Sequence, residues 1–167
     1  MREGMSVFLE PLKHATDLIV FGAGHIGSAL SRIGKMLDFT VTVIDNRPEF
    51  ANKEKLAWAD KVIASEYEKA LEDIVFSDNT FVVILTHRHV HDFEILDHCV
   101  LQPFKYLGMI GSSNKVSKCF QQLQEKGIDE ETLNRIHAPI GIRIGGNTPS
   151  EIAVSIAAEL VAVRSGS

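Results

Sequence analysis

Three glycines constrain this chain more than any other feature. Gly22, Gly24 and Gly27 stand in the run Gly22-Ala23-Gly24-His25-Ile26-Gly27, directly after the apolar segment Asp17–Phe21. The run opens a stretch in which Ile26, Ala29, Leu30, Ile33 and Leu37 recur at three- and four-residue spacing. A short apolar strand, a glycine-rich turn and an amphipathic helix make up the first unit of a dinucleotide-type fold. Gly22 allows the tight turn, Gly24 lets a pyrophosphate approach the backbone, and Gly27 lets helix and strand pack closely. A phosphate would meet the free N–H groups at the positive end of the helix dipole. The alternative is a glycine turn that serves packing alone.

The same rhythm continues along the chain. Thr40–Ile44, Lys61–Ala64, Thr80–Leu85 and Lys105–Ile110 read as further strands. Their apolar runs are continuous, not alternating, which is the mark of strands buried on both faces of a parallel sheet. Helical patterns lie between and after them, over 66–73, 90–100, 113–126 and 130–136. The expectation is an α/β domain: a doubly wound parallel sheet of about five strands, with extra C-terminal helices. With 167 residues there is room for one such domain. We read 1–16 as an N-terminal extension, 17–163 as the domain and 164–167 as a tail. Thr148, Pro149 and Glu151 form a capping box for the last helix. That helix is apolar around most of its surface, so it packs into the core or against a second copy of the chain in a homodimer.

Charge and composition narrow the function. A formal charge of −5 argues against a broad grip on nucleic acid. No apolar run reaches the roughly 18 residues of a membrane span, and no signal peptide is evident. Cys99 and Cys119 suit reduced thiols in a cytoplasmic protein.

The candidate site residues cluster after the strands. Asp45 ends the second strand, eighteen residues beyond Gly27, where a carboxylate accepts from ribose hydroxyls. An acid there favours NAD over NADP, while Arg47 beside Asn46 pulls the other way. Thr86-His87-Arg88-His89-Val90-His91-Asp92 follows the fourth strand, on the side of the sheet where ligands bind. This loop makes polar contact with a phosphate or substrate there, or it is simply solvated. The three histidines do not fix a ligand set, and no metal site is expected. Gly111, Ser112 and Lys115 make either an anion cradle or an ordinary helix cap. Arg143, in the Gly-rich approach to the last helix, meets an anion or merely sits in a turn.

From Leu18 to Val163 the chain resembles the C-terminal, Rossmann-like domain of the XdhC/CoxI family, accessory proteins for molybdenum hydroxylases such as xanthine dehydrogenase. The resemblance rests on FGAGHIG (Phe21–Gly27), VIDNRPEFA (Val43–Ala51), LTHRHVHD (Leu85–Asp92), YLGMIGSSNK (Tyr106–Lys115) and HAPIGIRIGGNTPSEIAVSI (His137–Ile156). It implies a non-catalytic protein that binds the molybdenum cofactor (molybdopterin), supports its sulfuration and hands it to a molybdenum hydroxylase apo-enzyme. The implied partners are that enzyme, a sulfurtransferase, and a separate N-terminal XdhC-type domain that typical members carry. Gly22, Gly24, His25, Ile26 and Gly27 would cradle the cofactor's phosphate, Asp45, Asn46 and Arg47 any ribose, with Thr86 and His87 opposite. The rival reading is an NAD-dependent oxidoreductase or nucleotide-sensing module completed by a partner subunit. His87 or His89 would be its acid–base group, since histidine titrates near neutral pH.

Overall fold

The computed structural model describes residues 16–166. Six strands form one sheet: β1 (Thr16–Phe21), β2 (Phe39–Asp45), β3 (Lys61–Ala64), β4 (Thr80–Ile84), β5 (Tyr106–Met109) and β6 (Ile136–His137). Their order is β3-β2-β1-β4-β5-β6, and every pair is parallel. The order reverses between β1 and β4, which opens a crevice at the carboxyl ends of those two strands. Phe21 is in register with Ile44 on one side and Ile84 on the other, so the loops after β1, β2 and β4 leave the sheet at one level.

Strand pleating splits the core in two, because successive side chains point to opposite faces. Leu18 and Val20 of β1 face α1 (His25–Met36) and α6 (Pro149–Ser165), in a cluster with Leu30, Phe39, Val83, Ile156 and Leu160. Ile19 and Phe21 face the other way, where α2 (Tyr67–Glu72), α3 (His89–Cys99) and α4 (Ser113–Glu125) close a second cluster around Ile84, Ile95, Leu96 and Leu123. Burial on both faces accounts for the unbroken apolar runs. The fold is thus the doubly wound parallel sheet that the sequence led us to expect.

Two expectations need correction. The sheet has six strands, not five. The segment read as a helix over 130–136 is one turn, α5 (Glu130–Leu133), and Ile136 then pairs with Leu107 as the edge strand β6. Two residues carry no periodicity by which such a strand could be found. The apolar last helix lies in the core: Ala153, Ile156, Ala157 and Leu160 are buried in the α1 layer, and Arg164 donates to the Leu37 carbonyl at 2.6 Å. Its capping box forms as expected, with both reciprocal hydrogen bonds present. Cys99 and Cys119 are buried free thiols. The 1–15 part of the N-terminal extension lies outside the described residues. Among those residues no helix is long and apolar enough to cross a membrane.

Candidate functional site

The glycines divide the labour in the turn between β1 and α1. Gly22 has φ +113°, and a Cβ there would sit 2.4 Å from the Leu85 carbonyl oxygen. A Cβ on Gly27 would lie 1.9 Å from the Gly22 carbonyl oxygen. Both positions are closed by backbone, which no side-chain adjustment relieves. Gly24, the N-cap of α1, is different: a Cβ there meets nothing within 4 Å. Ala23, Gly24, His25 and Ser28, with Phe50 and Lys55 from the segment after β2, line a cavity of about 290 Å³. His25 is exposed at the start of α1, and Ile26 turns toward the α6 side of the core.

Asp45 is where expectation and structure part. Its side chain is fully buried, and its carboxylate is already engaged. Oδ2 accepts the Ala23 N–H at 2.7 Å and Arg47 Nη2 at 2.8 Å; Oδ1 accepts the Arg47 N–H at 3.0 Å and Arg47 Nε at 2.8 Å. Burial works against its charge, but the hydrogen bonds from Arg47 and Ala23 outweigh burial and hold the pKa below the usual carboxylate range. Asp45 therefore ties the Gly-rich turn to the end of β2, with no oxygen left open to a ribose. Arg47 lies over the Phe50 ring at 4.0 Å, and Lys55 Nζ stands 5.3 Å from the same ring. Close by, the Tyr67 hydroxyl and Asn46 Oδ1 are buried without hydrogen-bond partners. Burial, reinforced by the Asp45 charge, pushes the Tyr67 hydroxyl pKa up.

Across the crevice, the loops after β4 and β5 are joined by Asp92. This buried carboxylate accepts from the Thr86 N–H at 3.1 Å and the Thr86 hydroxyl at 2.7 Å, and it pairs with Lys115 Nζ. Lys115 also donates to the Ile110 carbonyl at 2.8 Å. Thr86 and Lys115 thus share Asp92 as their partner, and Lys115 with Ser112 also lines a cavity of about 560 Å³ beside α3 and α4. Ser112 caps α4 through the Lys115 N–H, and Gly111 packs against the Lys115 side chain. The helix cap expected of this loop is formed by Ser112.

The histidines do not converge. His87 is exposed, and its ring centre lies 6.1 Å from that of His91. Partial burial, then the Arg47 charge, lowers the His87 pKa. His89 is 85% exposed, and His91 pairs with Glu94 at 3.1 Å. Among the described residues no three His, Cys, Asp or Glu side chains gather as a metal site. Arg143 is exposed in the loop that lines a separate cavity beside Ile152 and Ser155.

Sequence reasoning missed Phe50, Lys55, Tyr67 and Asp92. The first two lie in the irregular stretch after β2, which has no period. Asp92 stands in a quoted motif, but its partner Lys115 is distant in sequence. A third group also went unseen. Glu159 of α6 accepts from the Tyr106 hydroxyl at 2.5 Å and the Gly141 N–H at 2.9 Å, with His137 Nδ1 at 3.4 Å. It pins the Gly-rich loop before α6 to the sheet.

A strand order reversing between β1 and β4, with a glycine turn opening α1 at the reversal, defines a nucleotide-binding-type α/β domain. More narrowly, the chain belongs to the XdhC Rossmann domain family, whose model matches residues 18–160. It is 36% identical over 161 residues to the uncharacterised Escherichia coli (strain K12) protein YqeB, covering 96% of this chain and 29% of that protein. It is 28% identical over 159 residues to a probable xanthine dehydrogenase subunit from Bacillus subtilis (strain 168), covering 95% of this chain and 46% of that one. Among solved structures, that of a xanthine dehydrogenase from Bacillus halodurans superposes with a TM-score of 0.81 at 28% identity. The match covers 91% of this chain and 43% of that one. The chain thus spans less than half the length of each of these relatives.

Proposed function

We propose that this domain is a non-catalytic accessory module for a xanthine dehydrogenase-type molybdenum hydroxylase, serving maturation or insertion of the molybdenum cofactor. It would hold a phosphate-bearing cofactor or nucleotide at the Gly-rich turn. Membership of the XdhC Rossmann domain family and the xanthine dehydrogenase names of two relatives support the accessory role. The single observation that carries the ligand site is the open space over Gly24, beside two glycine positions that backbone closes. Gly24 caps α1 without a side-chain hydrogen bond, and the first N–H groups of such a helix can donate to a phosphate whatever it is attached to. Pterin monophosphate, its dinucleotide and NAD all bring such a group. The residues that would hold it are Gly24, His25 and Ser28, with Lys55 of the same cavity. When bound, the cofactor supplies its own molybdenum chemistry, and this chain supplies the cradle.

A thermal-shift titration tests this, with anaerobic molybdenum cofactor, NAD⁺, NADH and NADP⁺ as separate ligands. At 100 times its dissociation constant a ligand stabilises by about 2.7 kcal/mol, which is several degrees for a domain of this size. We expect a shift with the molybdenum cofactor that Gly24→Val abolishes while the apo-protein keeps its circular dichroism. A shift untouched by Gly24→Val would remove the site from this loop. Silence with every ligand would defeat the reading.

A further inference from the structure

We propose that the cavity end nearest β2 reads a phosphate monoester and not a ribose diol. The inference rests on the reading of the Gly-rich turn as a phosphate site, and specifies the chemistry of the ligand's other end. In a doubly wound domain the group beyond β2 decides this point: a free carboxylate holds the ribose hydroxyls, whereas an arginine accommodates a phosphate.

Here the carboxylate is not free. An ionised carboxylate offers about four lone-pair positions, and those of Asp45 are matched by four donors: the Ala23 N–H, the Arg47 N–H, Arg47 Nε and Arg47 Nη2. A diol would have to displace a bidentate guanidinium, the stronger partner. What the cavity presents is cationic. Phe50 and Lys55 line it, Arg47 lies on the Phe50 ring, and no carboxylate appears among the lining residues Ala23, Gly24, His25, Ser28, Phe50 and Lys55. Asp45 neutralises Arg47. Lys55 Nζ has only the Glu49 carbonyl as a hydrogen-bond partner, at 2.5 Å, and no carboxylate partner among the described residues. Its ammonium therefore makes no direct ion pair among the described residues. Arg47 keeps guanidinium N–H groups beyond those given to Asp45, since five are available. A planar fork and an ammonium together suit a monoester phosphate, which carries close to two negative charges at neutral pH.

The test is isothermal titration of the whole chain with 2′,5′-ADP and with 5′-AMP, which differ only in the 2′-phosphate. We expect 2′,5′-ADP to bind at least about tenfold more tightly at low salt, with the preference shrinking as salt screens it. Lys55→Ala, an exposed position, and Arg47→Lys, which keeps charge but loses the fork, should each bring the ratio down to about threefold or less. Equal affinities, or a preference intact in both variants, would overturn the phosphate reading. The Gly-rich turn would still stand if 5′-AMP binding responded to Gly24→Val. Failure of both nucleotides to bind would overturn the phosphate-monoester reading, while the Gly-rich turn would stand or fall by the titration with molybdenum cofactor.

Discussion

Asp45 and Ala23 are joined across the head of the sheet: the carboxylate at the end of β2 accepts the N–H of the residue between the first two glycines, at 2.7 Å. The shape of the Gly-rich turn is therefore set from a neighbouring strand as well as by its own glycines. Asp45→Ala should leave the buried Ala23 N–H without a partner and Arg47 without its counter-charge. We expect a loss of about 2–3 kcal/mol, read as a lower urea midpoint at unchanged slope. Asp45→Asn keeps an acceptor oxygen and should lose about half as much. A change below about 0.5 kcal/mol in Asp45→Ala would mean the turn holds its shape unaided.

Gly27 and Gly24 belong to one motif yet should respond oppositely to a single methyl group. At Gly27 the added carbon would meet the Gly22 carbonyl at 1.9 Å, so helix α1 must move off β1. Gly27→Ala should cost at least about 3 kcal/mol, the upper end for overpacking, and lower Tm by roughly 6–12 °C. Gly24→Ala enters open space and changes only an N-cap preference, worth about 1 kcal/mol or less. Differential scanning calorimetry of the two variants decides the matter. Equal Tm losses would show that the two glycines share one role.

Asp92 and Lys115 form a buried link between the β4 and β5 loops, and its removal should be costly from either side. Asp92→Ala strands Lys115, which is only 13% exposed, and frees the Thr86 N–H. Breaking one partner of such a pair costs about 3–5 kcal/mol. Lys115→Met leaves the carboxylate buried, and the double variant should recover part of the loss. A double-mutant cycle in urea should give a coupling of about 1–3 kcal/mol, while simple additivity would mean that the pair does not act as a unit.

The sheet was legible because each of its causes is local. Continuous apolar strands, the stripe from Ile26 to Leu37, and the capping box at Thr148 are written within a few residues. Gly22 and Gly27 were read correctly for the same reason, since their demand is for backbone space. The ligand-facing chemistry was less legible because it depends on partners. Asp45 looked free to bind ribose until Arg47, two residues on, proved to fold back over it. The pairing of Lys115 with Asp92 had no signal in the sequence, because the two stand 23 residues apart. Lys55 gave no signal, and Phe50 was seen only as part of the run Val43–Ala51, because a loop pinned by the buried Leu56 and Ala59 has no period to find.

Acid should remove the stability that two of the site's supporting carboxylates contribute to the fold. Asp45 and Glu159 both suffer from burial, yet both have pKa values held below normal: Asp45 by Arg47 and the Ala23 N–H, Glu159 by His137, Tyr106 and the Gly141 N–H. In the unfolded chain these groups return to about 3.9 and 4.3. The folded state therefore binds fewer protons through this window. The stability the two carboxylates contribute is complete above the unfolded values, and it drains away as pH falls through the lower folded ones. Urea midpoints should stay nearly flat from about pH 7 to 5 on their account and fall steeply below about pH 4.5. Asp45→Asn and Glu159→Gln should each start lower at neutral pH and show a shallower acid limb, because the titrating group is gone. A variant whose acid limb kept the full wild-type slope would show that its carboxylate does not drive the loss.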